Sequence, residues 1–83
     1  MAQYANVHRK HPVKHAMQHQ VAVVVRRERI RRGWSQRELA SRIHMSQSWI
    51  QCLETEKFLP PVHMLVELAA ILEVGVSQLF GAD

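Results

Sequence analysis

The chain has 83 residues, room for one small domain, which excludes a large multilayer enzyme. Hydrophobic residues make up 47% and charged residues 22%, the balance of a packed globule, and three Gly and three Pro leave few interruptions to helices. Eleven Lys and Arg against seven Asp and Glu give a net charge of +4, which suits an anionic partner without naming one.

The single cysteine, Cys52, has no partner for an internal disulfide, which points to a reducing cytoplasm, and no cysteine cluster suggests zinc. The longest apolar run near the front, Val21 to Val25, spans five residues. A membrane span needs ~20, and the run also misses the length and flanks of a signal peptide. The expectation is a soluble cytoplasmic protein with no membrane association, no cofactor and no structural metal. A core this thin favours a partner subunit.

Residues 1–19 carry Arg9, Lys10 and Lys14, no acid, and four of the six histidines. They read as a flexible basic arm, with residues 20–83 as the folded domain. His8, His11, His15 and His19 would align on one face if the arm were helical, and such spacing can hold zinc, nickel or copper. No carboxylate or cysteine joins them, and a basic arm following the phosphate backbone or a minor groove is the preferred reading, with Arg9, Lys10 and Lys14 as its contacts.

From Val21 to Arg32 the text VAVVVRRERIRR combines a valine run, which favours a strand, with helical placement of Ala22, Val25, Arg29 and Ile30 on one face. A helix is expected, stopped by Gly33 and leaving Val23 or Val24 exposed. Ser35-Gln36-Arg37-Glu38 is a capping box that starts the next helix, with Leu39, Ala40 and Ile43 buried. Ser46 caps another, in which Ile50 and Leu53 face inward while Gln47, Ser48, Gln51, Cys52 and Thr55 point outward. After a loop at Lys57 to Pro61, the second proline suits the first position of a further helix, and Leu65, Leu68, Ala69 and Leu72 form its inner face. A last helical turn covers Val76 to Phe80. The fold class expected is therefore all-α, a compact bundle of about five short helices.

Two short helices joined by a tight turn, the second with an outward face of Gln and Ser, form the arrangement that lays side chains in a major groove. Arg29, Gly33-Trp34-Ser35-Gln36, Leu39-Ala40, Ser46, Ile50, Leu53-Glu54, Pro60 and the run Leu68-Ala69, Leu72, Val74 match, without a gap, the running pattern of a known family. Over Arg29 to Phe80 the chain resembles the lambda-repressor-like (Cro/repressor-type, XRE) helix-turn-helix family.

That resemblance implies a sequence-specific regulator of transcription, a repressor of bacterial or phage type, bound to double-stranded DNA as a homodimer on a near-palindromic operator. Gln47, Ser48, Gln51 and Cys52 take the positions that touch base edges. Gln can pair bidentately with adenine, Ser bonds to several bases, and a small thiol can meet a thymine methyl; each could also be ordinary surface or a half-buried filler. Gln36, Ser46, Trp49, Thr55 and Lys57 take backbone-contact positions, where they position the helix without reading sequence. For Trp49 the indole lies either against sugars or back in the core. Arg29 and Glu54 take the positions of an internal ion pair between the first helix and the recognition helix. Val74, Val76, Leu79 and Phe80 are the dimer segment, unless they pack within their own chain. His44 stands where the family generally has Gly, at a turn position needing positive φ, and Glu56-Lys57 replaces a basic-Gly pair.

An alternative reading is an antitoxin-type protein-interaction module that also binds its own operator, with a toxin as its protein partner. An enzyme is not expected: no paired carboxylates, no nucleophile with a base and no phosphate-cradling Gly loop occur at usable spacing. The net charge divides unevenly, +3 in residues 1–20, +4 in 21–33, zero in 34–57 and −3 in 58–83, so the basic excess belongs to the arm and first helix.

Overall fold

The computed structural model describes residues 12–81, which form five helices and, among them, no strand: α1 Pro12–Arg31, α2 Gln36–Arg42, α3 Gln47–Glu54, α4 Val62–Leu72 and α5 Val76–Leu79. Arg9 and Lys10, like His8 and His11, lie outside the described residues. The first helix begins nine residues before Val21, so residues 12–19, read as part of the arm, are helical. Pro12 holds its first position, where a proline's fixed φ fits and its missing N–H costs nothing.

Within α1 the valine run is helical because it is swallowed by the core: Val21, Ala22, Val24 and Val25 are buried, and only Val23 of the run faces outward. Burial of these side chains outweighs the few tenths of a kcal/mol by which each β-branched residue disfavours helix. Ile30, expected inside, is 55% exposed. It lies about 140° around the helix from Val25 at ~100° per residue, on the side opposite the buried Val21, Val24 and Val25.

α3 packs against both α1 and α2, while α4 and α5 close the other side against α1. Leu39, Ile50, Leu53, Leu68, Leu72 and Leu79 form the fully buried centre, with Ala40, Ile43, Met64, Leu65 and Ala69 around it. Leu79 is therefore core, not dimer surface: α5 must bury its one large inward residue to dock on α1. Val74 is half-buried against the same cluster.

The first four helices end in one way. Trp34 N–H donates to Arg29 O and Gly33 N–H to Ile30 O; the paired bonds recur at Met45 and His44, Lys57 and Glu56, and Val74 and Glu73. Each is a Schellman closure, whose residue just past the helix must be left-handed. Gly33 meets that need at φ 71°, but His44, Glu56 and Glu73 adopt 58°, 62° and 57° with a side chain in place.

Two local expectations change. Ser35 Oγ accepts from Glu38 N–H at 3.0 Å, but the Glu38 carboxylate pairs with Arg42 at 3.1 Å instead of returning to the cap, so half of the capping box forms. Pro61 is the cap of α4, one residue before its first helical position.

Candidate nucleic-acid interface

Three features fix helix α3. The turn before it closes through left-handed His44. Ser46 then caps it, its Oγ accepting from Trp49 N–H at 3.1 Å. At the far end Arg29 of α1 grips Glu54: Nε donates to Oε2 at 2.7 Å and Nη2 to Oε1 at 2.9 Å, while Nη1 reaches Trp34 O at 2.8 Å. The two side chains are 11% and 3% exposed. A bidentate, shielded guanidinium–carboxylate pair is the strong form of this interaction, and it sets both the position and the rotation of α3 on the body of the protein.

With α3 so held, Ile50 and Leu53 point into the core and Gln47, Ser48 and Gln51 stand exposed, with Cys52 half-buried beside them. This is one continuous outward face. The flanking residues divide more finely. Lys57 is exposed. Thr55 Oγ1 donates to Gln51 O at 2.8 Å, finishing the helix with its own hydroxyl. Gln36 Nε2 donates to Glu54 Oε1 at 3.1 Å, so one of its amide hydrogens already serves the clamp. Trp49 takes neither extreme: its ring is half-buried and meets Phe58 edge-on, with centroids 5.2 Å apart and planes at 66°. Phe58 was not legible as a member of this surface, because it lies beyond the helix in a loop.

Exposed basic side chains lie on the first two helices. Lys14 and Arg26 are exposed on α1, as is Arg37 on α2. Glu28 is buried beneath Arg27, Arg31 and Arg32, accepting from them at 3.2, 3.0 and 3.0 Å. The hydrogen bond from Arg32 foremost, with Arg27 and Arg31, holds its carboxyl below the ordinary carboxylate range against the opposing effect of burial. The Arg42 guanidinium lies 4.0 Å over the Trp34 ring and that of Arg32 5.9 Å from it, covering the connection between α1 and α2. Glu56 Oε2 sits 3.0 Å from His19 Nδ1, which draws this carboxylate toward α1.

At the carboxy-terminal end Val76 and Phe80 are 39% and 40% exposed, and of the four residues expected in a dimer interface these two present open apolar surface. His15 and His19 are exposed on α1, and among the described residues no group of three His, Cys, Asp or Glu is placed to hold a metal ion. No described helix is long and apolar enough to cross a membrane.

Residues 20–79 match the model of the helix-turn-helix domain family. The chain belongs to that family. It is a helix-turn-helix DNA-binding protein, with α2 and α3 as the motif. Among solved structures, it is similar to the hypothetical transcription factor NHTF from Neisseria, at 26% identity over 77% of this chain and 74% of that one, with a TM-score of 0.73. No curated protein matches this chain.

Proposed function

We propose that this helix-turn-helix protein is a sequence-specific transcriptional regulator, a repressor of the lambda-repressor-like type that binds a near-palindromic operator as a homodimer. The observation that carries the reading is the outward face of α3: Gln47, Ser48 and Gln51 exposed in a row, on a helix whose inner face and Arg29 clamp fix its attitude. Amide side chains so presented match adenine N6 and N7, and hydroxyls match several bases. Lys57, the Ser46 hydroxyl, Trp49, Thr55 and Gln36 surround that face as backbone contacts.

The likeness to a protein described as a hypothetical transcription factor supports a regulatory role. Exposed Val76 and Phe80 supply the apolar surface for a two-fold contact, and a symmetric dimer carries two recognition helices to major grooves about 34 Å apart. Selection of bound duplexes from a random DNA pool tests the reading. The expected product is an inverted repeat with half-sites one helical turn apart, and expression of a reporter behind that site falls when the protein is present. A pool that shows no enrichment, or unrelated single sites, removes it.

A further inference from the structure

Among the described residues every large apolar side chain left exposed lies on α1, α4 or α5, and none lies on the motif helices α2 and α3. On α1 these are Val23 and Ile30, with Val13 near the start of the helix. Ala16, also exposed, precedes Val23 by seven residues, as Val23 precedes Ile30. In a straight α-helix residues seven apart share one side, with a drift of ~20° per step. Ala16, Val23 and Ile30 therefore form a stripe on the side of α1 turned away from the buried Val21, Val24 and Val25. We infer that this stripe is a subunit interface, in which α1 packs antiparallel against α1 of a second copy of this chain. The inference rests on the homodimeric operator reading proposed above and names the surface that joins the two copies.

Spacing, charge, symmetry and area choose the occupant. An apolar position repeated every seven residues is the seam along which one helix packs on another. Arranged antiparallel about Val23, the stripe sets Val23 against the partner's Val23 and Ile30 against the partner's Ala16. His19 and Arg26 flank the seam on one side, Gln20 and Arg27 on the other. Arg26 is exposed and takes no part in holding Glu28 or Glu54. In the antiparallel pair it comes opposite the partner's His19 and the Glu56 carboxylate that lies 3.0 Å from that ring, while Arg27 comes opposite the partner's Gln20. A parallel pair would set Arg26 against the partner's Arg26. The two-fold axis of an antiparallel pair runs perpendicular to both helices, so it keeps on one face of the dimer the two α3 helices, each clamped to its own α1 by Arg29. A parallel pair turns them to opposite faces. A stable dimer buries about 800 Å² on each partner, beyond the reach of Val76 and Phe80 on and beside the four-residue α5. α1 adds ~30 Å of helix. Its Gln20 side chain lies against Gly81, where a β-carbon would sit 3.3 Å from it, so the exposed Phe80 borders the stripe and extends the same interface.

The test is sedimentation equilibrium of the full-length protein, with helical content followed by circular dichroism. The parent chain is expected to dimerise. Val23→Glu places two carboxylates across the two-fold axis, and dimerisation weakens at least about tenfold, the factor that goes with losing one buried aliphatic side chain. Arg26→Glu and Glu56→Arg, each alone, set like charges opposite one another and weaken the dimer severalfold. The double variant Arg26→Glu/Glu56→Arg restores opposite charges and recovers it. A dimer as tight as the parent's in Val23→Glu or in Arg26→Glu, or a loss in Arg26→Glu that the double variant fails to reverse, overturns the α1 pairing while operator reading stands. Monomers at every concentration, with and without the selected duplex, remove the pairing and the homodimer together and leave the stripe to a different protein.

Discussion

Gln47 and Lys57 are both exposed, yet different chemistry is assigned to each, and their substitutions separate the roles. Gln47→Ala removes a bidentate amide from the base-reading face. Operator affinity is expected to fall by about 1–3 kcal/mol, with relaxed preference at one base pair. On the proposed role, Lys57→Ala removes one phosphate contact, so all sequences weaken alike and the slope of log affinity against log salt drops by about 1. Titrations of operator and random duplex at several salt concentrations measure both; an equal loss on the two duplexes for Gln47→Ala contradicts direct readout. His44 makes a prediction about stability instead. At φ 58° its Cβ is crowded against the following carbonyl, a penalty that glycine lacks. Allowing for glycine's freer unfolded chain, His44→Gly is expected to raise unfolding stability by about 0.5–1 kcal/mol in urea melts. The need for positive φ was legible at His44 from the motif alone. Glu73 gave no such signal, since its left-handed backbone follows from how α4 ends and not from its own side chain.

Of the two buried carboxylates, Glu54 ties α3 to α1 through Arg29, whereas Glu28 braces the end of α1 itself through Arg27, Arg31 and Arg32. Arg29→Met leaves Glu54, 3% exposed, with a single amide donor from Gln36. The expected loss is about 3–5 kcal/mol by denaturant melting, and Arg29→Met with Glu54→Met recovers much of it, because the isolated charge is gone. A double variant as unstable as the single one contradicts that account. Glu28 predicts pH behaviour. Its folded pKa lies below the value of 4.5 that applies unfolded, so ionisation favours the folded state above that pH. The stability it contributes is lost as pH falls through the folded pKa. Glu28→Gln flattens this acidic limb of a stability–pH profile, and an unchanged limb would show that other carboxylates produce it. The pairing of Glu28 with Arg32 was readable from the i,i+4 spacing, but its burial was not. That depends on which valines of α1 enter the core, and in an unbroken apolar run adjacent helical faces compete. For the same reason Ile30 was assigned inward and stands outside. The beginning of α1 was missed because residues 12–19 show no apolar period, although Pro12 offered a start signal.

For the molecule as a whole, five helices and the inner faces of α2, α3 and α4 could be derived from capping residues and threes-and-fours spacing, whereas association between copies could not. Intramolecular packing and a subunit interface demand the same apolar side chains, and only tertiary contacts separate Leu79, buried, from Phe80, 40% exposed. If the proposed dimer closes through this segment, Phe80→Asp is expected to convert it to monomers in sedimentation experiments and to abolish the preference for two half-sites over one. Helical content by circular dichroism stays unchanged, since Phe80 lies outside the core. A variant that still sediments as a dimer moves the interface elsewhere.

The grip of Arg29 on both Glu54 and the Trp34 carbonyl has a consequence for the nucleic acid. A reading head bolted to its body by a shielded, three-point contact is preorganised, so little ordering entropy is spent on the protein side when it docks. It also cannot swivel to accommodate an imperfect groove. In a two-fold complex the duplex must then supply the adjustment, bending or twisting between the half-sites until both heads seat. Operators with an easily deformed centre are thereby favoured over stiff ones, even at base pairs that no side chain touches.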